Sequence, residues 1–106
     1  MNDNLKAADL LDAAAELIAQ PGAWTQGADA RTTKGNPCLP ASRRAVCWCA
    51  LGAIDHACDN YWIRQNATHA LTLVTDYDVP RWNDNPKRKQ GGVVQALRRA
   101  AKKLRS

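Results

Sequence analysis

The 106-residue chain has room for one folded domain, and a hydrophobic content of 45% excludes wholesale disorder. No apolar run approaches the ~20 residues that span a bilayer, so no membrane role is expected. The formal net charge of +5 is unevenly placed: residues 1–30 carry five acids against Lys6 alone, whereas residues 85–106 carry eight cations and no acid.

The opening segment predicts an amphipathic helix from Asp3 or Asn4 to Gln20, with Ala7, Leu10, Leu11, Ala14, Leu17 and Ile18 on one stripe. Asp9, Asp12 and Glu16 face elsewhere on that helix, and acids in such a segment argue against a secretory signal, so the expected location is the cytoplasm. In that reducing compartment Cys38, Cys47, Cys49 and Cys58 are expected as free thiols. Pro21-Gly22 ends the helix. A long loop follows to residue 41, of a length that in compact domains is usually functional or mobile.

The second helix is expected from Arg43 to about Cys58, with Ser42 as its N-cap. Residues 45–54 are apolar on every face, which makes this the central core element, built around Trp48, Leu51 and Ile54. Gly52 costs about 1 kcal/mol in a helix relative to Ala and so marks a close backbone approach. A third helix runs from about Tyr61 to Thr75. A turn-rich stretch over 76–85 precedes a last, basic helix at about 86–105, capped by Asp84 or Asn85 with Pro86 in its first position. No period-2 strand is evident. The expected fold class is all-α: a single domain, 1–106, forming a compact bundle of about four helices with a long loop between the first two.

Four constellations are candidates for function. Cys47-Trp48 followed by small residues resembles the nucleophile helix of papain-like peptidases, with His56, His69 and Asn83 as conceivable base and orienting groups. The likeness stops there. That family's oxyanion glutamine lies just before its cysteine, whereas Gln26 is far upstream, so no catalytic residue is assigned. A metal site would draw on Cys38, Cys47, Cys49, Cys58, His56 and His69, but the close pairs fall on opposite faces of the expected helix, so no metal or other cofactor is expected. The basic helix offers Lys87, Arg88, Lys89, Arg98, Arg99, Lys102, Lys103 and Arg105 to an acidic macromolecule, nucleic acid or protein. It could equally carry this charge for solubility, or lie against the acidic first helix. Finally, four tryptophans with no phenylalanine are unusual. Trp24 and Trp82 either lid a small core or line a pocket with Gln26, Cys49, Asn83 and Asp84.

The segments Trp24-x-Gln26-Gly27, Trp48-Cys49-Ala50-Leu51-Gly52-Ala53 and Trp82-Asn83-Asp84 resemble those of a family of small uncharacterised proteins from phages and actinobacteria. The resemblance implies that the three clusters meet in space. It also implies a phage or mobile-element setting, and it brings no catalytic residues. The expected function is a non-enzymatic interaction protein that binds an acidic partner, nucleic acid or a host or defence protein, through its basic last helix. The alternative is a small cysteine-dependent enzyme or ligand binder with a site near Trp24, Cys49 and Trp82.

Overall fold

Helix α1 spans Asp3–Ala19 and buries Ala7, Ala8, Leu10, Leu11, Ala14, Ala15 and Ile18. The computed structural model describes residues 3–75 and 78–106. The last helix, α5 (Gln90–Arg105), buries Val93, Ala96, Leu97, Ala100 and Ala101. Small side chains on both facing stripes let the two backbones approach closely. The pair is antiparallel: Gln90 Nε2 donates to Ile18 O (2.6 Å) and Gln20 O (2.8 Å) at one end. At the other end Arg105 reaches Asp9 and Asp12. Helices α2 (Ala50–Ala57) and α3 (Tyr61–Val74) complete the core, where Leu11, Ile18, Ile54, Leu71, Val93 and Leu97 are the large fully buried apolar side chains. Trp48 and Ile54 are buried as expected of central residues, whereas Leu51 is only partly covered.

The protein is mostly helical, but not all-α. Three two-residue strands, β1 (Ala30–Arg31), β2 (Pro37–Cys38) and β3 (Cys47–Trp48), form an antiparallel sheet in the order β2-β1-β3. Ala30 stands opposite both Cys38 and Trp48. The expected loop between the first two helices is therefore pinned along its length. A turn over Arg43 and Arg44 and then β3 replace the first half of the helix expected from Arg43. Trp48 N donates to Ala23 O (2.8 Å), Thr25 N donates to Trp48 O (3.1 Å), and Cys49 N donates to Asp29 O (3.1 Å). These long-range partners satisfy the backbone that a helix would have satisfied locally. The indole Nε1 of Trp48 donates to Pro40 O (3.0 Å). Ser42 closes a turn over Arg43 and Arg44 and caps no helix.

A fifth, short helix, α4 (Val79–Asn83), stands in the stretch expected to be turns. The first two residues of that stretch, 76 and 77, lie outside the described residues. Asp78 caps α4 by accepting from Arg81 N (3.2 Å), with Pro80 in its first turn. The basic helix starts at Gln90, four residues later than Pro86 had suggested. Asn85 instead organises a turn: its side chain accepts from Lys87 N (2.9 Å) and its carbonyl from Arg88 N (2.8 Å). Among the described residues, no helix is long and apolar enough to cross a membrane.

Candidate functional site

Asn83, at the end of α4, is fully buried, and every hydrogen-bonding position of its side chain is used. Its Oδ1 accepts from Trp24 Nε1 (2.9 Å) and from Ala50 N (3.0 Å). Its Nδ2 donates to Thr25 O (3.1 Å) and Asp84 Oδ1 (3.1 Å). Ala50 N is an orphan donor of the first turn of α2, and a residue 33 positions away supplies its acceptor. Gln26 Nε2 donates to the carbonyls of Asn83 (2.8 Å) and Asn85 (2.9 Å), and Gly27 N donates to Asp84 Oδ1 (2.9 Å). Gly27 has φ +79°, which the turn toward Asp84 requires and which favours glycine. The three tryptophan-centred segments thus meet around one amide side chain.

Cys49 caps α2, its sulfur accepting from Gly52 N (3.3 Å) and lying 3.9 Å from Asp29 Oδ1. Burial pushes this thiol up to about 11; the backbone N–H groups of Gly52 and Leu51 oppose the shift, and the Asp29 charge adds to it. At neutral pH it is a protonated thiol filling a cap position, the reverse of an activated nucleophile. The close approach expected at Gly52 is made by Asp29: a Cβ there would overlap the Asp29 carbonyl oxygen. Beside these residues lies a cleft of about 200 Å³ lined by Gly27, Ala28, Asp29, Cys49, Pro80 and Asp84.

The six residues expected around one pocket are therefore divided. Cys49 and Asp84 line this cleft, while Trp24, Gln26 and Asn83 form hydrogen bonds that hold its walls together. Trp82 points elsewhere. Its ring lies under the Arg88 guanidinium at 4.0 Å, in a separate cleft of about 320 Å³ with Asp78, Arg81 and Asn85. Asp29 and Pro80 also line the cleft, and they carry no sequence signal because no local pattern shows which loop faces the start of α2.

The other candidate groups are dispersed. Cys47 lies on β3, and not inside a helix as expected, with its sulfur 4.0 Å from Arg31 O. Cys58 follows α2 and accepts from Asn60 N (3.4 Å). All four cysteines are free. His56 Nδ1 is 2.8 Å from Pro40 O, and its ring leans on Trp48. His69 is exposed on α3. Among the described residues no three His, Cys, Asp or Glu side chains gather closely enough to hold a metal ion. Asp55, at the exposed end of α2, is raised by partial desolvation and held down by Arg64 at 3.9 Å.

The eight cations of the last segment fall into two groups. Arg105 donates to Asp12 (2.6 Å) and Asp9 (2.8 Å), which raises its already high pKa, and Arg98 pairs with Glu16 (3.2 Å) and Asp12 (3.9 Å). Seven residues apart, these two arginines fall within about 20° of each other on the helix, on the side facing α1. Arg88 is engaged with Trp82, whose carbonyl accepts from its Nε (2.9 Å). Lys87, Lys89, Arg99, Lys102 and Lys103 have no ion-pair partner among the described residues. Arg99, Lys102 and Lys103 lie at helical spacings of three and four, so they share the outer face of α5.

A family model described as a family of unknown function (DUF6197) matches residues 2–103. The chain belongs to this family. The match takes in α1 through nearly all of α5, so the Asn83 hub and the basic helix both fall within the family's domain. No curated protein and no solved structure matches the chain.

Proposed function

We propose that this member of the family is a non-enzymatic module that binds nucleic acid through the outer face of α5 and the turn leading into it, with Arg99, Lys102 and Lys103 on the helix and Lys87 and Lys89 before it contacting backbone phosphates. The observation that supports this reading is the division of labour on α5. Arg98 and Arg105 pair with Asp9, Asp12 and Glu16 of α1, whereas among the described residues five other cations of the last segment have no acidic partner. Unpaired cations of this kind release counterions when they meet a polyanion. The reading also places the protein in the cytoplasm and, on the motif resemblance, in a phage or mobile-element setting. A cysteine-dependent reaction has less support, because Cys49 is a buried, protonated helix cap.

The test is binding to duplex DNA, single-stranded DNA and RNA across a salt series, with wild type and an Arg99→Glu/Lys102→Glu/Lys103→Glu variant. Each lost phosphate contact flattens the slope of log affinity against log salt by about 0.7 to 0.9, so the variant should lose roughly 2 to 3. Helical content should be unchanged, because the α1-facing arginines are intact. Equal slopes for variant and wild type would refute the reading. Binding to an acidic protein with none to nucleic acid at low salt would transfer the surface to the host-protein alternative.

A further inference from the structure

Away from the Asn83 hub and α5, one part of the surface combines fixed backbone with unopposed charge. From Ala30 through Ile54 the sequence has four cations, Arg31, Lys34, Arg43 and Arg44, and no Asp or Glu. Arg31 is turned inward, donating to Thr25 Oγ1 (3.1 Å), Gln26 O (3.0 Å) and Gly35 O (3.0 Å). The other three stand on two tight turns. Between β1 and β2, Thr32 N donates to Asn36 O (2.8 Å) and Gly35 N to Thr32 O (2.8 Å), with Gly35 at φ +85°. This is a short hairpin closed by a left-handed glycine, and it holds Thr33 and Lys34 at its tip. In the second turn Ala45 N donates to Ser42 O (3.2 Å) and Arg44 N to Ser42 Oγ (3.1 Å), which fixes Arg43 and Arg44 at the central positions. Val46 N donates to Arg31 O (2.9 Å) and ties this turn to the base of the hairpin.

Between the turns is a cleft of about 430 Å³, lined by Thr32, Thr33, Lys34, Asn36, Arg43 and Arg44, with Val46 at its margin. Among the described residues, the Lys34 ammonium, the two guanidinia and the Thr33 hydroxyl have no hydrogen-bond or ion-pair partner. Thr32 Oγ1 accepts from Asn36 N (3.3 Å), which leaves its own proton free to donate. We propose that this cleft binds the phosphate group of a phosphorylated ligand. Three cationic residues and two threonines line it, and no carboxylate lines it to repel an anion. Because the turns already hold the backbones of these residues, binding orders only side-chain ends. Guanidinium forks match phosphate oxygens in geometry as well as charge. Val46 is the one aliphatic side chain at the margin, so recognition centres on the phosphate. That phosphate is supplied either by a nucleic-acid backbone or by a small phosphorylated molecule.

The test is an NMR titration of the full chain with inorganic pyrophosphate, and separately with a short oligothymidylate, at constant ionic strength. Saturable shifts are expected at the amides of Thr33, Lys34, Arg43 and Arg44. A Lys34→Gln/Arg43→Gln/Arg44→Gln variant should bind pyrophosphate at least roughly tenfold more weakly, as expected for losing charge-assisted bonds. These are turn positions with solvent-facing side chains, and single Arg43→Gln and Arg44→Gln variants repeat the test if the triple variant fails to fold. The α5 variant carrying Arg99→Glu, Lys102→Glu and Lys103→Glu should keep wild-type affinity for pyrophosphate, which separates this site from the α5 reading. Tighter binding of the oligonucleotide than of pyrophosphate, lost in the turn variant, identifies a backbone phosphate as the source; the opposite order identifies a small ligand. Unchanged pyrophosphate affinity in the turn variants, or unsaturable shifts spread over every basic surface, would overturn the proposal.

Discussion

Replacing Asn83 should reveal how much of the fold depends on one amide. Asn83→Ala removes four hydrogen bonds, to Trp24 Nε1, Ala50 N, Thr25 O and Asp84 Oδ1. At about 1 kcal/mol net for each, and more for a buried donor left unpaired, the loss comes to about 3–5 kcal/mol. A domain of this size is held by about 5–15 kcal/mol, so the variant should be near the edge of folding. The melting temperature should fall by about 15–25 °C. Asn83→Asp refines the argument. The carboxylate keeps both acceptor roles but sets oxygen against the Thr25 carbonyl and the Asp84 carboxylate. Burial and Asp84 raise the pKa of the introduced carboxyl in the folded state. Its protonated form can donate one of the lost bonds, so stability should recover as pH falls toward the carboxylate range and decline again as pH rises through the raised value. Urea unfolding at pH 7 and pH 4.5, followed by tryptophan fluorescence, measures both variants. A loss under about 1 kcal/mol in Asn83→Ala would refute the idea that this hub holds the α1–α2 connection to α2 and α4.

Gly52→Ala should cost about 3 kcal/mol, because the added carbon overlaps the Asp29 backbone carbonyl and two packed backbones must part to admit it. Gly91→Ala has open space in α5 and should stabilise by about 0.5–1 kcal/mol; chemical denaturation of the pair checks both signs. The Cys49 thiol, raised from 9.0 to about 11, stabilises the fold fully below pH 9, and that contribution is lost as pH rises through about 11. Cys49→Ser keeps a cap acceptor, so its stability relative to wild type should improve by about 2–3 kcal/mol between those pH values; a constant difference would contradict the burial argument. In native alkylation at pH 8, Cys49 should be the slowest of the four thiols, and equal rates would point to a more open cap.

The sequence by itself determined the helices whose periodicity is strong. α1 and α3 lie within a residue or so of their expected ends, because Pro21-Gly22 and Asn60 are local signals. It also determined the charge gradient, and the pairing of Arg98 and Arg105 with α1 follows from it once the two helices lie side by side. Sequence reading failed over residues 43–49, where an apolar run has no period that separates a buried helix from a buried strand. Tertiary hydrogen bonds with Ala23, Asp29 and Arg31 decided that segment, and nothing in the local sequence shows that these residues face it. Asn85 likewise delayed the start of α5, because its carbonyl and side chain were taken by a turn and by Gln26. The basic turns at Lys34 and Arg43–Arg44 are hidden in the regional charge because acids further along nearly cancel them; the run without acids from Ala30 to Ile54 is the signal that marks them. Which tryptophan, glutamine and asparagine belong together was suggested by the motifs. That Asn83 satisfies four partners at once was decided only by the folded chain, since three of them lie 33 to 59 positions away and hydrogen-bond geometry over such separations is written in no local stretch of sequence.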